Sequence, residues 1–207
     1  LMKTVVATCD QEIIDYIESI GGNSVMTSNK HERASDRCAE ALAYIEKKDG
    51  IKYDIIVMVQ GDEPMTHPEM ITEAVMPMLK DSSILVTNLL GEINSQEEFD
   101  DRNCIKVVTD MNSDALFFSR EPIPTRKNTE KIEMKKQVCV IPFTRKFLLE
   151  YTKLEPTPLE IIESIDMMRV LENGLKVRMI PTKYNTHAVD TIDDLKKVEN
   201  LMKDIKY

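Results

Sequence analysis

The stretch Asp54-Ile55-Ile56-Val57-Met58-Val59 is apolar on both of its faces and stops abruptly at Gln60-Gly61-Asp62-Glu63-Pro64. Side chains alternate faces along a strand, so such a run fits the interior of a sheet covered on both sides, as in parallel α/β sheets. The rest of the chain keeps a matching rhythm. Residues 2–8 predict a strand. Residues 11–20 predict a helix, with Ile13, Ile14, Ile17 and Ile20 at helical spacing and Gly21-Gly22 as its stop. A short strand over 24–27, a polar loop over 28–35 and a helix over 36–47 follow. After the apolar strand come a helix over 67–79 and strands over 84–89 and 105–109. This alternation implies an α/β fold, a doubly wound, mostly parallel sheet with helices on both faces, in a single domain spanning 1–207.

From about 115 to 165 the pattern changes. Residues 115–119 and 137–142 read as strands separated by a charged, proline-marked connection over 120–136, expected to be a long loop and not a crossover helix. Residues 159–172 predict one amphipathic helix closed by Asn173-Gly174, residues 177–181 a strand, and residues 191–203 a final helix. The first strand begins at the first residues, without the βα turn that nucleotide-binding sheets carry before it, so the chain reads as amino-terminally truncated.

Composition narrows the function classes. A formal net charge of −9 argues against a nucleic-acid groove, which needs a basic surface to neutralise phosphates. An acidic protein that handles a phosphorylated substrate must gather positive charge locally or recruit a metal ion. Cys9, Cys38, Cys104 and Cys139 are scattered, with no CxxC pair and no Cys/His cluster, so reduced, buried thiols of a cytoplasmic protein are expected. No apolar run approaches the ~18 residues that a membrane span requires, and no signal peptide is evident.

Open α/β sheets bind ligands at the carboxyl ends of their strands. Two acidic groups fall there: Asp10 after the first strand, and Gln60-Gly61-Asp62-Glu63 after the most apolar one. A third carboxylate, Asp190, ends the segment 184–190; it can serve a site or cap the final helix, whose first turn holds Asp193 and Asp194. The loop 27–37 is dense in hydrogen-bond donors just before a helix and reads either as an anion- or base-binding loop or as a solvated one. Arg120, Arg126 and Lys127, around Pro122 and Pro124, form the best local positive patch. His31, His67 and His187 lack metal-ligand spacing.

Taken together, these segments resemble the CMP-Kdo synthetase family, the 3-deoxy-manno-octulosonate cytidylyltransferases. Val5-Val6-Ala7-Thr8-Cys9-Asp10 is similar to the family's VATDD strand. Met26-Thr27-Ser28 with His31 and Ser35-Asp36-Arg37 resembles its base-facing loop. Val59-Gln60-Gly61-Asp62-Glu63-Pro64 matches VQGDEP in full, Phe118-Ser119-Arg120 with Pro122-Ile123-Pro124 matches FSR.PIP, and Val189-Asp190-Thr191 with Asp194-Leu195 matches VDT..DL. The resemblance implies a nucleotide-diphospho-sugar transferase fold and transfer of CMP from CTP to the anomeric hydroxyl of a 2-keto-3-deoxy sugar acid, with release of pyrophosphate. It implies Mg²⁺ on Asp62 and Asp190, the nucleotide near Asp10, His31, Ser35 and Arg37, and the sugar near Gln60, Arg126, Lys127, Gln137 and Asp166. Arg120 would face the anionic substrate, and a homodimer would form through the antiparallel excursion at 115–165. A place in lipopolysaccharide or surface-polysaccharide biosynthesis goes with that reaction.

Three departures from the family pattern shape the expectations. The IPAR-type loop that binds the triphosphate is not in the chain, so residues 1–207 alone are expected to hold CTP weakly and to be inactive. Arg33-Ala34-Ser35 replaces the family's SGT. On the sugar side, Gln137 replaces a His, Ile141 a Tyr, and Asp166-Met167 a Glu-Gln pair, which predicts a sugar with fewer hydroxyls, or with an amino or acyl group, in place of plain Kdo. A cytidylyltransferase for another sugar, and a degenerate homologue acting as a binding or dimerisation module, are the alternatives.

Overall fold

The computed structural model describes residues 1–125, 127 and 133–203. β1 (Val6–Thr8) leads into α1 (Gln11–Ser19) through Asp10, whose carboxylate accepts the Glu12 amide at 2.8 Å and satisfies a free N–H of the first turn. Gly21, at φ 78°, then lets the chain leave the helix toward β2 (Ser24–Met26). α2 (Ala34–Asp49) follows and leads to β3 (Ile55–Val59), α3 (Pro68–Lys80), β4 (Thr87–Glu92), α4 (Gln96–Asp100), β5 (Lys106–Thr109) and β6 (Ala115–Ser119). The second half holds β7 (Lys135–Val138), β8 (Val140–Thr144), α5 (Arg145–Tyr151), α6 (Pro158–Glu163), α7 (Asp166–Glu172), β9 (Arg178–Pro181) and α8 (Ile192–Met202).

The α/β class is as the sequence predicts. Five strands run in the order β6-β5-β7-β4-β9, while β3 pairs with β8 and β1 with β2. Among the described residues the β1–β2 and β4–β9 ladders are parallel, and β3–β8, β4–β7, β5–β6 and β5–β7 are antiparallel. Every antiparallel ladder includes β6, β7 or β8. The stretch expected to be an excursion therefore runs through the sheet itself. The described part of the 120–136 connection carries no helix, in line with the loop reading.

Three local expectations change. The strand expected over 137–142 extends to Thr144 and is interrupted at Cys139, because the Cys139 amide leaves the ladder for Glu63 Oε1 and its carbonyl accepts from the Gln60 amide. The helix expected over 159–172 is two helices, α6 and α7, broken at Ser164, which sits at φ 54°. The break has a cause far away in sequence: Arg120 takes the carbonyls of Glu163 (2.7 Å) and Ser164 (3.3 Å), which a continuous helix would need for itself. Regular pairing of β4 starts three residues later than expected, Val86 making only an isolated bridge to Phe143.

The main core gathers Met58, Val86, Phe118, Phe143, Phe147, Tyr151 and Met168 between the sheet and helices α2, α5 and α7. Phe143 is fully buried, and such a side chain contributes about 1.5–3 kcal/mol on leaving water. A smaller cluster, Met70, Ala74, Leu89, Val138 and Val140, seats α3 on the sheet. No helix among the described residues is long and apolar enough to cross a membrane. All four cysteines are free; Cys9 is exposed, against expectation, because it lies in the turn between β1 and α1.

Candidate active site

The turn after β3 is stitched into place by backbone bonds. Gln60 donates to the Cys139 carbonyl (3.2 Å), Glu63 to the Gln60 carbonyl (3.2 Å), and the Val189 amide to the Asp62 carbonyl (2.9 Å). That last bond lays the Asp190 segment beside Asp62. Oδ1 of Asp62 is buried without a hydrogen-bond partner, and burial pushes its carboxyl above the usual range. Asp190 is raised as well, by desolvation first and by the Asp62 charge next, while Arg120 pulls it the other way. The charges of Asp62 and Arg120 thus both act on Asp190.

The two readings of Asp190 separate here. α8 is capped by Thr191, whose Oγ1 accepts the Asp194 amide (3.2 Å) while Asp194 Oδ2 accepts the Thr191 amide (2.9 Å). The Asp190 carboxylate is left out of the cap, to which this residue gives only its backbone amide, and is exposed. Among the described residues no group of three or more His, Cys, Asp or Glu side chains could hold a metal. Two hard carboxylates, one with an unpaired buried oxygen, nevertheless fit a Mg²⁺ that draws its other ligands from phosphate and water.

The donor-rich loop after β2 is held mainly by its own residues. Arg37 donates to Thr27 Oγ1 (2.6 Å) and to the carbonyls of Ser28 (3.2 Å) and His31 (3.4 Å). The His31 ring meets Glu40, which also accepts the Ser28 amide (3.0 Å). Arg37 thus shapes the loop, and His31 lies at its rim. Ser35 is fully buried and donates Oγ to Asp166 Oδ2 at 2.8 Å. Two residues expected to serve different substrates are bonded to each other. Asp10 is placed as the cap of α1.

Arg120 directs its guanidinium to the carbonyls of Arg102 (2.9 Å), Glu163 and Ser164, and its amide to Glu163 Oε2 (2.9 Å). Lys127 is exposed, and Arg126 lies outside the described residues. Gln137 is buried and donates to Asn88 Oδ1 (2.5 Å), while Ile141 and Met167 sit in the main core. The four substituted sugar-side positions thus face the protein interior. Burial pushes Asp166 up, with Ser35 and Arg33 acting against it.

Sequence reasoning missed several residues around the site. Arg169 and Glu160 form a buried bidentate pair (2.6 and 2.7 Å), with Arg33 3.4 Å from Glu160. Lys106 is fully buried under Arg120. A charged residue within an apolar strand was the available signal for Lys106; the Arg169–Glu160 pair had none, since on a surface helix both would look solvated.

The family model described as Cytidylyltransferase matches residues 1–179. The 3-deoxy-manno-octulosonate cytidylyltransferase of Geobacter metallireducens is 40% identical over 95% of this chain and 79% of its own length. The chain belongs to this family. The protein of the same name from Fusobacterium nucleatum is 34% identical, over 99% of the chain and 81% of its own length. A solved CMP:2-keto-3-deoxy-manno-octonic acid synthetase in complex with CTP superposes with a TM-score of 0.86 at 32% identity, covering 98% of this chain and 81% of that one. A Bacillus anthracis protein described as a glucose-1-phosphate thymidylyltransferase, 13% identical with a TM-score of 0.59, shares the fold alone. The cytidylyltransferase is a nucleotidyltransferase by class, with the sugar-nucleotide transferase architecture that the sequence predicts.

Proposed function

We propose that this cytidylyltransferase moves CMP from CTP to the anomeric hydroxyl of a 2-keto-3-deoxy sugar acid, Kdo or a close relative, and releases pyrophosphate. The observation that carries the reading is the union of Asp62 and Asp190 by the Val189–Asp62 backbone bond, with Asp190 left free by the cap of α8. In the reaction the sugar oxygen bonds to the α-phosphorus, the bond to the pyrophosphate oxygen breaks, and the hydroxyl proton leaves to solvent or an adjacent base. Asp62 and Asp190 would hold a Mg²⁺, which when bound would offset phosphate charge and lower the pKa of the hydroxyl.

The chain's own residues do the positioning. Arg120, anchored on carbonyl oxygens and free of a carboxylate ion pair among the described residues, keeps its charge for the anionic sugar. The Thr27–Arg37 loop, internally braced by Arg37 and Glu40, offers a rigid rim to the nucleotide. Because Gln137, Ile141, Asp166 and Met167 face inward, the sugar pocket draws fewer hydroxyl partners from these positions, and a sugar acid with a hydroxyl removed or replaced suits it. A cytoplasmic homodimer built through 115–165 belongs to the same reading.

The test is a pyrophosphate-release assay, on the protein joined to an IPAR-type triphosphate loop, with CTP, Mg²⁺ and either Kdo or its amino- and deoxy-substituted relatives. Turnover that needs Mg²⁺ and disappears in D62N and D190N supports the proposal. Turnover indifferent to both substitutions sinks the metal assignment, and a clear preference for unmodified Kdo sinks the substrate refinement.

A further inference from the structure

Lys106 is a lysine with no exposed surface, in the middle of a sheet. Its Nζ donates to three backbone carbonyls, those of Asp101 (2.6 Å), Cys104 (2.6 Å) and Arg120 (2.5 Å). An ammonium has three N–H donors and no acceptor, so three carbonyls satisfy it completely. A neutral amine would offer two donors and point its lone pair at a carbonyl oxygen, so this arrangement belongs to the charged form. Among the described residues no carboxylate forms an ion pair with it. Burying a charge on backbone carbonyls alone is costlier than burying a hydrocarbon chain of the same length. Packing does not explain a lysine here; methionine would fill the same space.

The three carbonyls show what the charge holds. β5 pairs with β6 so that Lys106 lies opposite Ser119, and Arg120 leaves the sheet at the next residue. Arg120 is then gripped at every polar group it has. Its carbonyl meets Lys106, its amide meets Glu163, and its guanidinium meets the carbonyls of Arg102, Glu163 and Ser164. Lys106 also fixes the 101–104 loop from which Arg102 supplies its carbonyl.

We infer that Lys106 is a positioning residue of the active site: its buried ammonium fixes the backbone of Arg120 and the loop beside it, and sets a second positive charge behind the guanidinium that faces the anionic sugar. The inference rests on the proposed role of Arg120. It answers how a protein of net charge −9 keeps a positive spot beside its two aspartates.

Arginine Nε resonances of the ¹⁵N-labelled protein test it. Arg145, Arg169 and Arg178 serve as internal controls, because each also donates Nε to a defined acceptor. In K106M, Nε–H exchange at Arg120 is expected to accelerate by about tenfold or more, the loss that follows from freeing a charge-assisted bond, with the three controls unchanged. In calorimetry K106M weakens Kdo binding by a similar factor and CTP binding by less than about twofold, and K106M adds nothing to R120A, since one residue acts through the other. If K106M fails to fold, K106R keeps the charge but displaces it, and moves the Arg120 signal alone. An equal response at all four arginines, an unmoved Arg120, or additive losses in the double variant overturns the inference. A selective Arg120 response in a protein that binds neither Kdo nor its amino- and deoxy-substituted relatives supports the positioning and sinks the substrate reading instead.

Discussion

The Val189 amide donates to the Asp62 carbonyl at 2.9 Å, and through this bond the last loop of the chain is fixed to the turn after its most apolar strand. The two residues are 127 positions apart in sequence (189 − 62). Each neighbours or carries one of the two carboxylates that the proposed metal needs. The spacing between those carboxylates is therefore set by main-chain geometry. Side-chain substitutions can remove a ligand without disturbing the frame that held it.

The first prediction follows from that frame. In a form that carries the triphosphate loop, D62N and D190N keep the fold and lower kcat by about a thousandfold, the order expected when several kcal/mol of charge stabilisation are lost. Circular dichroism melts alongside steady-state assays check both halves. Unfolding of either variant would show that the carboxylates hold the turn themselves.

Ser35 and Asp166 give a second. Their 2.8 Å bond joins the nucleotide-side loop to α7, so S35A is expected to raise KM for both substrates together and leave kcat nearly unchanged. A rise confined to one substrate would show that the two sides are not coupled through this contact.

The buried Arg169–Glu160 pair gives a third, on stability. R169M removes the bidentate partner of Glu160, leaving only Arg33 and the Thr157 amide beside its carboxylate, and costs about 3 kcal/mol, whereas R169M/E160M recovers most of the loss by removing both charges. Urea unfolding of the four members of the cycle decides it.

At the helix break, Ser164 occupies a left-handed conformation that glycine tolerates better. S164G is expected to stabilise the protein by about 0.5–1 kcal/mol, and S164V to destabilise it, since a β-branched side chain clashes there. Thermal melting measures both.

Glu46 supplies the pH dependence. Bonds from Arg145, opposed by burial and helped by Lys52 and the Tyr53 amide, lower its carboxyl from 4.5 to about 2. A depressed folded pKa gives stability that is present above the unfolded value and is lost as pH falls from about 4.5 through about 2. E46Q therefore lowers the melting temperature at pH 7, and its difference from the unsubstituted protein shrinks toward pH 2. A difference that stays constant over this range would rule out the linkage.

Much of the frame was legible because it is local. The apolar faces of Ile55–Val59, the glycines after α1, and the motif around Asp62 declare themselves within a few residues. What the sequence concealed depends on partners far along the chain. The break at Ser164 needs Arg120, the interruption at Cys139 needs Glu63, and the release of Asp190 from capping needs the Thr191–Asp194 exchange to win. Gln137 and Asp166 were expected to face the sugar because polar side chains in a binding segment usually face a ligand. Asn88 and Ser35, 49 and 131 positions away, claim them instead.

The run from Lys135 to Thr144 belongs to two sheets at once, β7 bonding to β4 and β5 while β8 bonds to β3. A strand shared in this way leaves no seam along which the domain can part: releasing β3 means pulling on β4. Local opening normally frees one cooperative unit before another. The amides of Met58 and Leu89, which lie in different sheets, are therefore expected to exchange with solvent through one common event.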